Sequence, residues 1–324
     1  MGMGSDRFRW CRRLFASVDI VGSTAFKQQA KDSGEWAHVF REFFREFPLE
    51  YRTHFDQLSR DRAALRANPP RVWKFVGDEI LFVVEIERHE QVAIYADAFL
   101  TALESYTDEL RHKGTLARLG LKGTLWGAGF PVGNIEVEFL SADSEGRVSL
   151  LDFLGPNVDQ GFRLCTLADL RKVPISVDIA HMLAHGPEHP GLVVGFEEPR
   201  GHKGVPMPYP FIWLDRQRGQ QSAEDHLLGR RPGVAPAELR PWLEDLYTLQ
   251  VPNIARPFLE TDPDPQFSRI PADMDARRNN LMNRSAEEGY VEGRDVAATG
   301  SSPTDPPLPD PPGPRTGEDT NPTI

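Results

Sequence analysis

Cysteine is scarce in this 324-residue chain: there are two, Cys11 and Cys165, far apart. That argues against a disulfide framework and for a reducing compartment, the cytoplasm. Long apolar runs are also missing. None reaches the length of a bilayer span, so no membrane partner is expected. The charged start (Asp6, Arg7, Arg9, Arg12, Arg13) is followed by no long apolar segment of the signal-peptide kind. Nor is there a basic excess. The formal net charge is −11, which argues against a general nucleic-acid binder with its basic face. A nucleotide needs only a local positive or metal-bearing pocket and stays open. No internal repeat is visible. Between 301 and 324 the only large apolar residues are Leu308 and Ile324. Such a tail buries too little surface to offset its ordering entropy.

What is present suffices for a sizeable core, since 40 % of residues are aliphatic or aromatic. Residues 14–21 (LFASVDIV) read as a first strand with Asp19 near its end. Gly22, Ser23 and Thr24 then break it and suit a helix start. From Glu35 the spacing of Trp36, Val39, Phe40, Phe43, Phe44 and Phe47 predicts a helix with one aromatic face. Pro48 and Pro69-Pro70 punctuate the stretch between this helix and the next strand. Residues 72–76 and 80–84 predict a hairpin whose tip is in KFVGDE (74–79). A second amphipathic helix fits 91–113. Strands are expected at 119–132, 148–154, 173–177, 193–196 and 209–214, with helices after Pro156 and towards Ala184. The order predicts an α+β fold with a ferredoxin-like βαββαβ core, an antiparallel-containing sheet and packed helices. The expected organisation is an arm (1–11), a main domain (12–215), a small helical extension (216–261) and an unstructured Pro-rich tail (262–324).

Two carboxylates stand out. In a βαββαβ sheet the first strand lies beside the central hairpin, so Asp19 and Asp78 can share one rim. Close carboxylates repel, and a divalent ion resolves the repulsion. Mg²⁺ or Mn²⁺ prefers oxygen ligands and phosphate co-ligands. The carbonyl of Ile20 can add a ligand at the strand end. Gly22, Ser23 and Thr24 open a helix whose N–H groups suit a triphosphate. The bland alternative makes Asp19 a helix-flanking residue and Asp78 a turn residue.

Residues 152–164 (DFLGPNVDQGFRL) add a third motif. Together with FASVDIVGST at 15–24 and KFVGDE, the chain resembles the class III nucleotidyl cyclases over about residues 12–215. HKGV at 202–205 also looks like that family's late motif. The resemblance implies that Asp19 and Asp78, with the Ile20 backbone, hold two Mn²⁺ or Mg²⁺ ions. It implies that Lys74 and Asp152 contact the base and that Arg163 stabilises charge on the phosphates. It also implies a homodimer with composite sites, metal ligands from one subunit and arginine from the other. The chain departs from purine cyclases at Asp159, where their motif has asparagine. GPxxDxGFR looks like the bacterial Pycsar cyclases, which make cyclic pyrimidine nucleotides in antiphage defence. That implies UTP as substrate, CTP as second choice, and a separate effector answering to the product.

Lys74 only donates and an ionised Asp152 only accepts. Adenine, cytosine and uracil can each satisfy that pair. Pocket depth must then select the base, and Phe15, Trp73 or Phe153 can shorten it. Other features invite blander readings. His181, His185 and His189 suggest a metal site, but Pro187 breaks the helix and no carboxylate or cysteine completes the set. A solvated histidine face is expected. Glu79 should point to the opposite side from Asp78, in a supporting role. Arg200 and Lys203 touch phosphates or are plain surface charges. Two rivals are a GGDEF-type cyclase, whose glycine pair is absent because Val76 precedes Gly77, and a non-catalytic nucleotide-binding or dimerising module. No receptor-type sensory segment is expected ahead of the domain.

Overall fold

The computed structural model describes residues 8–30, 33–113, 118–143, 146–200, 209–216, 220, 223–227, 229, 233–249, 254–271 and 273–287. Strand β1 (Cys11–Val21) sorts its side chains by parity. Leu14, Ala16, Val18 and Ile20 enter the main core, while Phe15 enters a second, smaller cluster on the other face. Helix α1 (Ser23–Gln29) and helix α2 (Ser33–Asp61) come next. Helix α2 runs through Pro48, which was expected to lie in the stretch beyond it. Phe43, Phe47, Tyr51 and Phe55 recur at helical spacing on both sides of the proline and are buried. Each such burial contributes about 1.5–3 kcal/mol. Together they outweigh the roughly 3 kcal/mol that an interior proline costs.

Strands β2 (Arg71–Val76) and β3 (Glu79–Ile86) form the predicted hairpin. Its loop is Gly77 and Asp78, with Val76 facing Glu79. Gly77 has φ 64°, and no positive φ occurs at Asp78. A two-residue loop with positive φ at its first position is what a type II′ turn requires. Helix α3 (Gln91–His112) leads to β4 (Gly120–Phe130). These strands lie in the order β2-β3-β1-β4, the ferredoxin-like arrangement. The fold is α+β, with a mostly antiparallel sheet and packed helices.

The sheet then grows outward. Strands β5 (Ile135–Asp143) and β6 (Gly146–Leu154) pair as a separate antiparallel ribbon. The strand at 135–143 was not anticipated, although Ile135, Val137 and Phe139 alternate with acids as a strand does. Helix α4 (Pro156–Cys165), β7 (Lys172–Ile175), α5 (Val177–His185), β8 (Val194–Arg200) and β9 (Tyr209–Asp215) complete the main domain. The full sheet reads β2-β3-β1-β4-β7-β9-β8, with only β4 and β7 parallel. The large core packs α2, α3 and α5 on one face. The smaller cluster joins Phe15, Trp126 and Phe130 to Phe153 of β6 and Val158 of α4 on the other.

Helices α6 (Ala223–Leu227) and α7 (Arg240–Thr248) follow, and Leu243 and Leu246 of α7 join the main core. Beyond Thr261 the expectation of an unstructured tail does not hold for its first part. Helices α8 (Pro265–Ser268) and α9 (Met274–Glu287) form there. Phe267 is fully buried, stacked on His89 with ring centroids 4.3 Å apart. The His89 ring Nδ1 and backbone N–H meet Asp262 Oδ2 at 2.8 and 2.6 Å. Composition counts residues, whereas one phenylalanine and one aspartate suffice where a niche already exists. The described residues up to 283 cluster as one compact unit. Residues 202–205, with the HKGV motif and Lys203, lie outside the described residues, as does the rest of the tail from 288. No helix among the described residues is long and apolar enough to cross a membrane.

The histidines also depart from expectation. His181 is 1 % exposed, on the buried side of α5. Burial, helped by His185, pushes its imidazole down to about 3, so it is neutral at ordinary pH. His189 lies 3.5 Å from Asp97. The carboxylate missing from the sequence pattern comes from Glu244 on α7, whose ligand atom lies within 4.8 Å of those of His181 and His185.

Candidate active site

Asp19 and the Gly77–Asp78 turn lie at one end of the sheet because β1 and β3 are antiparallel neighbours, in register from Arg12↔Ile86 to Asp19↔Glu79. That ladder stops at Asp19. Ile20 and Val21 are paired only on the β4 side. Across β4, Asp19 faces Lys122, whose Nζ is 3.1 Å from Asp19 Oδ2. Lys27, on α1, places Nζ 3.8 Å from Asp78 Oδ2. Each predicted metal carboxylate is thus half-exposed and answered by a flexible ammonium group. The donor set fits hard divalent cations, which take carboxylate oxygens. In this structure Lys122 and Lys27 supply the positive charge beside these carboxylates.

Glu79, expected in a supporting role, lies at the first position of β3. Asp78 belongs to the turn, so strand alternation does not relate it to Glu79. Glu79 instead faces Asp19 in the β1–β3 register, and Ser17 Oγ donates to Glu79 Oε1. Burial raises the Glu79 carboxyl above its ordinary range, and the Asp19 charge adds to the rise. Cys165 lies beneath. Burial, with Glu79 nearby, pushes its thiol up to about 12, which keeps it neutral and unreactive.

Lys74 and Asp152 come together. Lys74 Nζ donates to Asp152 Oδ1 at 2.8 Å, joining β2 to β6 across 78 residues. The Trp73 indole N–H donates to the Leu151 carbonyl at 3.1 Å and fastens the same two strands. Lys74 Nζ also lies 4.1 Å from the Trp73 ring centroid. Trp73 meets Phe153 at 5.1 Å and Phe162 at 6.2 Å between centroids. Phe15, expected to touch substrate, has no exposed surface. It is sealed under Trp73, Trp126 and Phe153, at 5.3, 5.4 and 5.2 Å, and supports these side chains from beneath.

Helix α4 carries Asp159 and Arg163, one turn apart on one face. Asp159 is exposed and Arg163 half-buried. Neither has an ion-pair partner among the described residues. The helix sits close on the sheet because Gly161 has no side chain: a Cβ there would lie 2.2 Å from the Trp126 indole. At the start of α1, Gly22 and Thr24 are exposed while Ser23 is buried. Lys27 and Lys122 were not foreseen at the rim. The signal for Lys122 is register, which needs the strand order first.

No family model matches this chain, and no curated protein matches it. Solved structures do. An adenylyl cyclase from P. aeruginosa aligns with TM-score 0.48 and 12 % identity, over 67 % of this chain and 97 % of that one. The guanylate cyclase domain of RhGC from Catenaria anguillulae, in complex with GTP, aligns with TM-score 0.43 and 12 % identity, over 64 % and 97 %. The guanylyl cyclase Cya2 gives 0.41 and 13 %, over 64 % and 92 %. Each score is below one half, and the fold assignment above rests on the strand order.

Proposed function

We propose that this chain is a nucleotidyl cyclase of the class III type that converts UTP, and CTP second, to the 3′,5′-cyclic monophosphate and pyrophosphate. The observation that carries the reading is the joining of two distant motifs. Lys74 of KFVGDE bonds Asp152 of DFLGPNVDQGFRL at 2.8 Å, while the same hairpin sets Asp78 beside the end of β1.

In this reading Lys74 and Asp152 hold the base, donor to acceptor and acceptor to donor. Trp73 and Phe162, backed by the buried Phe15 and Phe153, shorten the slot and favour a single ring over a purine. Asp19, Asp78 and the Ile20 carbonyl would hold the divalent ions. When bound, those ions supply positive charge to the triphosphate and acidify the ribose 3′-hydroxyl. The 3′ oxygen bonds to the α-phosphorus in line, its proton leaves to solvent, and the bond to the β-phosphate oxygen breaks with its electron pair on pyrophosphate. Arg163 offsets charge growing on the pentavalent phosphorus. Its side chain has no ion-pair partner among the described residues, which suits donation across a head-to-tail homodimer. Asp159 faces outward beside it, placed to accept from a ribose hydroxyl or base donor. The cyclic nucleotide would act on a separate effector in antiphage defence, in the cytoplasm.

The test is incubation of the purified chain with Mn²⁺ and ATP, GTP, CTP or UTP singly, with products identified by mass. A cyclic pyrimidine nucleotide that disappears in Asp78→Ala is the expected result. Cyclic AMP or GMP would keep the mechanism and reject the pyrimidine reading. Nucleotide binding without any product would leave the chain a binding module.

A further inference from the structure

We propose that His181, His185 and Glu244 form a second metal site, for a zinc-class divalent ion, that ties helix α7 to helix α5. It is independent of the cyclase reading. The histidines are four residues apart on α5, and their ring centroids are 4.2 Å apart. Glu244 reaches them from α7, and one ligand atom of each residue lies within 4.8 Å of the other two. A tetrahedral ion with bonds of about 2.0–2.1 Å sets its ligand atoms about 3.3 Å apart. Binding would need side-chain rotation to close that gap.

Two further observations point to a ligand. His185 Nδ1 donates to the His181 carbonyl at 2.9 Å. That bond fixes the tautomer and leaves the Nε2 lone pair free for an ion, the arrangement that orients metal-binding histidines. His181 is 1 % exposed, and its Nδ1 is buried with no hydrogen-bond partner. An unsatisfied buried nitrogen is costly. Two imidazoles and one carboxylate, in the deprotonated forms that bind metals, would carry a single negative charge, complementary to a dication. Nitrogen ligands favour Zn²⁺, Co²⁺ or Ni²⁺, whereas Mg²⁺ prefers oxygens.

Two side chains now occupy the ligand positions. Arg256 forks Glu244, with Nη1–Oε1 at 2.9 Å, and Gln266 Nε2 donates to His185 Nε2 at 3.3 Å. Arg256 is half-buried and Gln266 exposed, so both can swing to water. The ion would replace the Arg256 guanidinium on Glu244.

The experiment is a Co²⁺ titration of the full chain in excess Mg²⁺, read by visible d–d absorption, with circular dichroism as a folding control. One equivalent of Co²⁺ should give the strong band of four-coordinate cobalt, bleached by Zn²⁺. Glu244→Gln and His185→Ala should abolish the band with the fold intact. Glu244 is partly exposed, so its variant decides if His185→Ala misfolds. Arg256→Ala should strengthen binding several-fold. An unchanged band in Glu244→Gln, or no four-coordinate band in the parent chain, would overturn the proposal.

Discussion

Strand β1 shows two faces of one sheet used differently. Leu14, Ala16, Val18 and Ile20 all enter the helix-covered core. On the opposite face the same strand runs from buried Phe15 through Ser17, bonded to Glu79, to half-exposed Asp19. The first face is uniform and only packs. The second is graded from aromatic to charged, so the packing at its buried end positions chemistry at its open end. The difference teaches that the smaller core is a mount: α4 and β6 rest on it, and they carry Arg163 and Asp152.

The largest expected effect lies at the open end. Asp19→Ala should lower turnover by more than about 10³-fold, and Arg163→Ala by about 10²–10³-fold, each with little change in melting temperature. Mixed in equal amounts, the two inactive variants should regain about a quarter of wild-type turnover. Half of random dimers are mixed, and each mixed dimer holds one intact composite site of two. A mixture as inactive as its parts would put both residues in the same protomer's site.

A matched pair of glycines sharpens the contrast between faces. A Cβ at Gly161 meets Trp126 at 2.2 Å, and one at Gly123 meets Phe99 at 2.6 Å. Alanine at either position should cost about 1–3 kcal/mol in denaturant unfolding, by overpacking. Only Gly161→Ala should also lower kcat of the folded enzyme, because it tilts the helix that carries Asp159 and Arg163. Equal kinetic losses would mean that the two faces are not separable.

Asp262 tests the segment that was expected to be unstructured. Burial pushes its carboxyl up, but hydrogen bonds from the His89 ring and backbone and from the Asp264 N–H outweigh it, and the net direction is down. A carboxyl lowered by folding stabilises above its unfolded value and loses that contribution as pH falls through the folded value. Asp262→Asn should therefore cost about 1–3 kcal/mol at neutral pH, with the gap to wild type shrinking on acidification through the carboxylate range. A gap independent of pH would assign the effect to packing alone. The smallest expected change is in base choice. Trp73→Ala should raise kcat/KM for ATP relative to UTP several-fold by lengthening the slot, and no change would remove Trp73 from specificity.

Local periodicity made most of the fold legible, since helices and strands of the βαββαβ core each show their own spacing. It failed where burial overrode a local signal, as at Pro48, and where the strand at 135–143 lay among acids. Asp19, Asp78, Lys74 and Asp152 were legible as motif residues. Lys122 was not, because only strand register sets it against Asp19. Glu244 was not, because it meets His181 from a distant part of the chain, through the packing of α7 on α5.

The Lys74–Asp152 bond has a consequence for selectivity. The free protein satisfies both groups with each other, so under the proposed function a base would enter by exchange. It must replace one 2.8 Å contact with two of its own, and a ring offering only half of the pattern leaves a charged group stranded against an aromatic wall. The closed pair is itself the competing ligand and taxes every base alike, so the length of the slot still selects the ring.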